Sequence, residues 1–227
     1  MRGSPTVSDN IRVLLVDDQE LVRYGFRLIL EANPEMIVVG EASDGMQAIN
    51  AVRRLQPDVV LMDIRMPGVG GIEATKSIIG FHPDTRVLVV TTYDLDEYAF
   101  GALDAGASGF LLKDTRPNDL VAAVRAVHSG DAVVSPRITA KLIQVAAPHL
   151  LVRAAVDAGE ALSELTARER EIFVLMARGE TNSEIAAALY LSESTVKANV
   201  GRVLSKLNLR NRVEAVIRAY EIGVVGH

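Results

Sequence analysis

The chain has 227 residues, 49% of them hydrophobic, 23% charged and 4% aromatic, with a formal net charge of −5. That apolar share can bury one large core or two modest ones, and it excludes disorder as the main state. Cysteine is absent, which excludes a disulfide framework, a thiolate metal site and a cysteine nucleophile.

Residues 1–10, MRGSPTVSDN, lack the apolar core of a signal peptide and read as a flexible leader. From Ile11 to residue 130 two textures alternate. Short β-branched runs at Ile11–Val16, Met36–Val39, Asp58–Met62, Arg86–Thr91 and Ser108–Leu112 are separated by amphipathic stretches near 19–32, 45–55, 70–80, 95–105 and 117–129. Strands alternating with helix-length segments predict βαβ units and a parallel sheet covered on both faces. With right-handed crossovers, five such units fit a flavodoxin-like α/β domain over 11–130 with strand order 2-1-3-4-5.

The alternation stops over 131–161, which reads as a linker. Its greasiest part is interrupted by Gln144, Pro148, His149 and Arg153, so a spanning helix is not expected and the chain is placed in the cytoplasm, off the membrane. Residues 162–227 hold only helical patterns. Thr166 with Glu169 and Thr181 with Glu184 have capping-box spacing, Ser192 can cap a helix over 193–207, and a fourth helix fits 212–222. The whole is an α/β domain followed by an all-α four-helix domain. Charge follows the same division: residues 1–160 sum to −6 and residues 161–227 to +1.

Polar residues fall at the carboxyl ends of the predicted strands: Asp17 and Asp18 after Val16, Asp63 after Met62, Thr91 after Val90, and Lys113 after Leu112. Alone, each is an ordinary turn former or helix cap. In the order 2-1-3-4-5 their strands are neighbours, so three carboxylates converge on the crevice where such sheets bind ligands. Carboxylates that close repel one another unless a cation offsets them, and Mg²⁺ is the natural hard cation for oxygen donors. A carboxylate beside Mg²⁺, a hydroxyl and an ammonium is equipped for phosphoryl transfer.

The motifs VDDQ (16–19), LMDIRMPGVGG (61–71), VVTT (89–92) and GASGFLLKD (106–114) closely resemble the receiver domain of bacterial two-component response regulators. The resemblance implies Asp63 as phosphoacceptor, and Asp18 and Asp17 as direct and water-mediated Mg²⁺ carboxylates, with the Arg65 carbonyl as a backbone ligand. It further implies Thr91 as the switch hydroxyl, Phe110 as the aromatic that changes rotamer, and Lys113 as the phosphoryl partner. Gly68–Gly71 is not a dinucleotide fingerprint, because the third glycine would fall at Glu73. A phosphohydrolase with an aspartate nucleophile of the haloacid-dehalogenase type wants a second Asp where Arg65 stands.

In 193–207, Val196, Val200, Val203, Leu204 and Leu207 make one packing face, while Thr195, Lys197, Ala198, Asn199, Gly201, Arg202, Ser205 and Lys206 take the remaining surface. A short helix, a turn at Leu189–Ser192 and this longer helix form a helix-turn-helix, whose second helix enters a DNA major groove. Charge and periodicity alone leave a helical interaction module that does not bind DNA equally open. LTAREREI (165–172), NSEIAAAL (182–189), LSESTVKANVGRVLSKL (191–207) and NRVEAV (211–216) resemble the LuxR-type, or NarL/FixJ-type, DNA-binding domain. That resemblance implies Lys197 and Ala198 facing bases, Thr195, Arg202 and Lys206 near phosphates, and the last helix as the dimer contact on DNA. Gly201 departs from the pattern, since it offers no side chain to a base, and Tyr190 stands in a turn where glycine is frequent.

The expectation is a non-enzymatic response regulator and transcription factor. A sensor histidine kinase phosphorylates it at Asp63, after which it forms a homodimer and binds double-stranded DNA. Receivers of relatives pair through the first and fifth helices, here near 19–32 and 117–129.

Overall fold

The computed structural model describes residues 10–92, 96–133 and 162–224. The expected leader, apart from Asn10, and the expected linker beyond residue 133 lie outside the described residues. The chain divides into two compact units, 1–128 and 129–227.

In the first unit β1 (Ile11–Val16), β2 (Met36–Ala42), β3 (Val59–Met62), β4 (Arg86–Thr91) and β5 (Gly109–Leu112) alternate with α1 (Glu20–Glu31), α2 (Gly45–Leu55), α3 (Gly71–Phe81), α4 (Asp96–Asp104) and α5 (Pro117–Ser129). The sheet order is β2-β1-β3-β4-β5, every pairing parallel. Central strands here must be apolar on both faces, and β3 is buried at every position. Leu14, Leu15, Leu61, Met62, Leu88, Ile78 and Leu30 are among the largest fully buried side chains, each stabilising the unit by roughly 1.5–3 kcal/mol through burial.

β2 runs three residues beyond its apolar stretch. Gly40, Glu41 and Ala42 pair with Leu14, Leu15 and Val16 after a register shift, and Glu41 is held by Arg23 and Arg27 of α1 at 2.8 Å each. An edge strand tolerates a charged residue that has such partners. β3 starts at Val59 rather than Asp58, whose carboxylate accepts the Arg12 backbone N–H at 2.8 Å.

The described part of the second unit is built on α6 (Ala167–Ala177), α7 (Asn182–Leu189), α8 (Glu193–Lys206) and α9 (Arg212–Glu221). Both predicted capping boxes are formed, Thr166 with Glu169 and Thr181 with Glu184, and Ser192 caps α8 by accepting the Thr195 N–H. Ile172, Phe173, Met176, Ile185, Val196, Val200 and Val203 fill the core between them. A buried polar knot closes the unit. Arg212 donates to Asp131 and to Asn182, each at 3.1 Å, and to the Glu180 carbonyl, while the Asn182 N–H donates to Asp131 at 3.0 Å.

Candidate functional site

The backbone itself gathers the first site. The Asp17 N–H donates to the Ala42 carbonyl at 3.1 Å, the Asp63 N–H to the Val16 carbonyl at 2.8 Å, and the Lys113 N–H to the Thr91 carbonyl at 2.8 Å. Parallel pairing is thereby extended one step past the strand ends, which sets the polar residues side by side. One carboxylate oxygen from each of Asp17, Asp18 and Asp63 lies within 4.8 Å of the others. Asp17 and Asp63 are buried while Asp18 is exposed.

Lys113 Nζ lies 2.5 Å from Asp17 Oδ2 and 3.0 Å from Asp63 Oδ2, with only 8% of its side chain exposed. Asp63 Oδ1 accepts the Ile64 N–H at 2.8 Å, so both of its oxygens are oriented. Burial pushes the Asp63 carboxyl above its ordinary pKa, against the pull of Lys113. For Lys113 burial acts to lower the pKa, but Asp17 and Asp63 together outweigh it and hold the ammonium protonated. The Thr91 hydroxyl is buried without a hydrogen-bond partner, the one such side-chain atom among the described residues. An orphaned donor inside a polar crevice marks where a ligand oxygen fits. The donors are oxygens only, which suits a hard divalent cation. The residues present therefore fit both a metal ion and an anionic group.

Of the remaining sequence-predicted residues, Phe110 is buried on β5 and Arg65 is exposed on the β3–α3 loop. Sequence reasoning placed Gly71 at the end of the receiver motif and in a rejected nucleotide loop, with no physical reason for a glycine there. A Cβ there would stand 1.9 Å from the Asp63 carbonyl oxygen, so α3 reaches Asp63 only because residue 71 has no side chain. Arg23 was also missed: its Nη1 donates to the Asp17 carbonyl at 2.7 Å.

The second site is the surface of α8. Thr195, Lys197, Ala198, Gly201, Arg202, Ser205 and Lys206 are exposed. Asn199, expected on that surface, is buried instead. Its amide donates to the Thr195 carbonyl at 2.8 Å and accepts from Arg202 at 2.8 Å, and those two bonds offset its burial beside Val196 and Val203. Lys206 Nζ lies 2.7 Å from Glu169 Oε2, and Arg202 Nε 3.7 Å from Glu169 Oε1. The Lys206 hydrogen bond, with help from Thr166, lowers the Glu169 pKa to about 2. Sequence spacing showed Glu169 only as a capping residue, because its basic partners lie on a helix far along the chain.

A parallel α/β unit with an acidic crevice at its strand ends, followed by a helix-turn-helix unit, defines a receiver joined to a DNA-binding domain. Residues 13–125 match the family model described as response regulator receiver domain, and residues 163–219 match bacterial regulatory proteins, luxR family. The transcriptional regulatory protein YxjL of Bacillus subtilis is 43% identical over 217 residues, covering 96% of this chain and 98% of the relative. The solved response regulator ChrA of a heme-sensing two-component system is 37% identical over 96% of this chain and 100% of its own, with a TM-score of 0.51. RcsB, solved as two dimers bound to two parallel DNAs, is 27% identical over 91% of this chain and 96% of its own, with a TM-score of 0.53. The chain belongs to the LuxR-type (NarL-type) family of two-component response regulators, and it is a transcription regulator with a LuxR-type DNA-binding domain. No helix among the described residues is long and apolar enough to cross a membrane.

Proposed function

We propose that Asp63 is the phosphoacceptor of a cytoplasmic switch, charged by a sensor histidine kinase or a small phosphodonor with Mg²⁺ held by Asp17, Asp18, Asp63 and the Arg65 carbonyl. Bound there, Mg²⁺ supplies positive charge to the phosphoryl oxygens. The Asp63 carboxylate attacks phosphorus and forms an acyl phosphate as the bond from phosphorus to the donor breaks. Lys113 then exchanges its carboxylate contact for a phosphoryl oxygen, and the Thr91 hydroxyl donates to another. Phe110, buried on β5, changes rotamer as Thr91 moves. This shifts a two-state equilibrium on the face formed by α4, α5 and their strands. One acceptor site that holds its product suits a switch rather than a turnover enzyme.

The observation that carries this reading is the placement of Lys113 between Asp17 and Asp63 beside the orphaned Thr91 hydroxyl. Incubation with Mg²⁺ and acetyl phosphate should add one phosphoryl mass to the wild type and none to Asp63→Asn, read by intact mass. Equal labelling of the two proteins refutes it.

The output is DNA binding as a homodimer. Lys197 and Ala198 meet base edges, while Thr195, Arg202 and Lys206 lie near phosphates, with α9 pairing the two copies on DNA. Support comes from their exposure on α8 and from the dimers in the RcsB complex. The second copy at the receiver packs through α1 and α5. Leu21, Tyr24 and Leu28 of α1 are 82%, 57% and 56% exposed and share one face at helical spacing.

A further inference from the structure

Tyr190 is the residue of the helix-turn-helix unit that intramolecular stability does not explain. It closes α7 in the left-handed region, at φ 55° and ψ 45°. The other left-handed positions described in this unit are held by Gly130, Gly179, Asn208 and Gly223, the residue types for which that conformation is least strained. Tyr190 is also 96% exposed, so its ring gains nothing from packing, and its hydroxyl has no hydrogen bond to the described residues. Glycine at this C-terminal position would relieve the strain and leave the core intact. Strain without internal compensation is the mark of a residue kept for an external contact.

Its place in the fold says what that contact is. Tyr190 lies two residues before Ser192, the cap of α8, in the turn that joins the two helices. In a helix-turn-helix the first helix crosses the sugar–phosphate backbone and the start of the second enters the groove, so the turn between them passes the backbone. Tyrosine hydroxyls are among the side-chain donors that position proteins on phosphates. We propose that Tyr190 is a DNA-backbone contact, its hydroxyl donating to a phosphate oxygen beside the groove that α8 enters. This rests on the DNA-binding reading of α8. It adds an uncharged anchor next to the Ser192, Ser194 and Thr195 hydroxyls, which are linked at 2.9 and 2.8 Å through Ser192.

An uncharged donor releases no counterion, so its loss differs in kind from the loss of a lysine. The full chain is titrated against a fluorescein-labelled mixed-sequence duplex, by anisotropy, across a series of NaCl concentrations. Tyr190→Phe and Tyr190→Gly should each weaken binding roughly two- to tenfold, the range for one hydrogen bond, with the wild-type salt slope. Tyr190→Gly should melt at or above the wild-type temperature. Arg202→Ala, as the control at a phosphate-facing cation, should lower the slope by about 0.9 per phosphate contact. Wild-type affinity in Tyr190→Phe with a lowered slope in Arg202→Ala overturns the tyrosine contact and keeps the DNA reading. So does a lower melting temperature in Tyr190→Gly, which would make the ring structural. Unchanged binding in all three variants overturns the DNA reading itself.

Discussion

Gly71→Ala tests how tightly the acceptor is built. The new methyl would stand 1.9 Å from the Asp63 carbonyl oxygen, 2.8 Å from its carbonyl carbon and 2.9 Å from Ile64 Cα. All three atoms are backbone, so no rotamer change relieves the clash. Ordinary carbon–oxygen contacts begin at about 3.3 Å, so α3 and the Asp63 peptide must separate by about 1.4 Å. Forced overpacking of this kind costs about 1–3 kcal/mol, or about 4–12 °C in Tm for a domain of this size. The same displacement would carry Asp63 Oδ2 from its 3.0 Å contact with Lys113 beyond hydrogen-bond range. Acetyl-phosphate labelling of Gly71→Ala should therefore be slowed as well as its receiver destabilised. Gly68→Ala is the matched control, since Gly68 has a positive φ but nothing within 4 Å of the added methyl. It should be destabilised only by the added backbone strain of about 1–2 kcal/mol and label at the wild-type rate. A Gly71→Ala protein with the Tm and labelling rate of the wild type would refute the reasoning.

Two further outcomes concern the helical unit. Glu169 has its pKa lowered from 4.5 to about 2, chiefly by Lys206, so its contribution is present above pH 4.5 and is lost as pH falls toward 2. Glu169→Gln keeps the capping geometry but not the charge, so the gap in urea midpoint between it and the wild type should be constant above pH 5.5 and shrink between pH 4.5 and 3; a gap independent of pH counts against the ion pair. Asp131→Ala leaves the buried Arg212 guanidinium with only neutral hydrogen-bond partners and should cost about 3–5 kcal/mol in urea unfolding of this unit, whereas a loss below about 1 kcal/mol would show that Asn182, the Glu180 carbonyl and the nearby Glu184 and Glu180 charges suffice.

The architecture was legible wherever a local pattern decides it. Five β-branched runs separated by amphipathic stretches fix a parallel sheet, and the polar residue after each run then falls on one edge, which is why Asp17, Asp63, Thr91 and Lys113 could be grouped before any coordinates. The capping boxes at Thr166 and Thr181 are likewise local, four residues from end to end. What escaped is set by packing between distant segments. Lys113 could be assigned to a phosphoryl group from the family pattern, but its 2.5 Å contact with Asp17 depends on how far β5 lies from β1. Asn199 follows Ala198 in a polar stretch, and only the tilt of α8 in the core decides that it points inward. Glu169 with Lys206 and Asp131 with Arg212 join residues 37 and 81 positions apart, a separation at which spacing carries no signal.

The charges at the proposed acceptor site suit a group that is stable when idle and responsive when modified. Three carboxylates face one ammonium, so the crevice keeps an excess of two negative charges when all are ionised. A divalent cation matches that excess, which is the electrostatic reason for expecting Mg²⁺ rather than a monovalent ion. A phosphoryl group on Asp63 replaces one negative charge with about two and adds acceptor oxygens where the carboxylate had two. The balance then fails by about one charge, and the groups able to respond are the Lys113 ammonium and the unpartnered Thr91 hydroxyl, each at the end of a strand in the same half of the sheet. In the proposed switch these two groups answer the new charge by moving toward the phosphoryl group at the end of β3, from the β4 and β5 side, since the β1 side of Asp63 is occupied by Asp17 and Asp18.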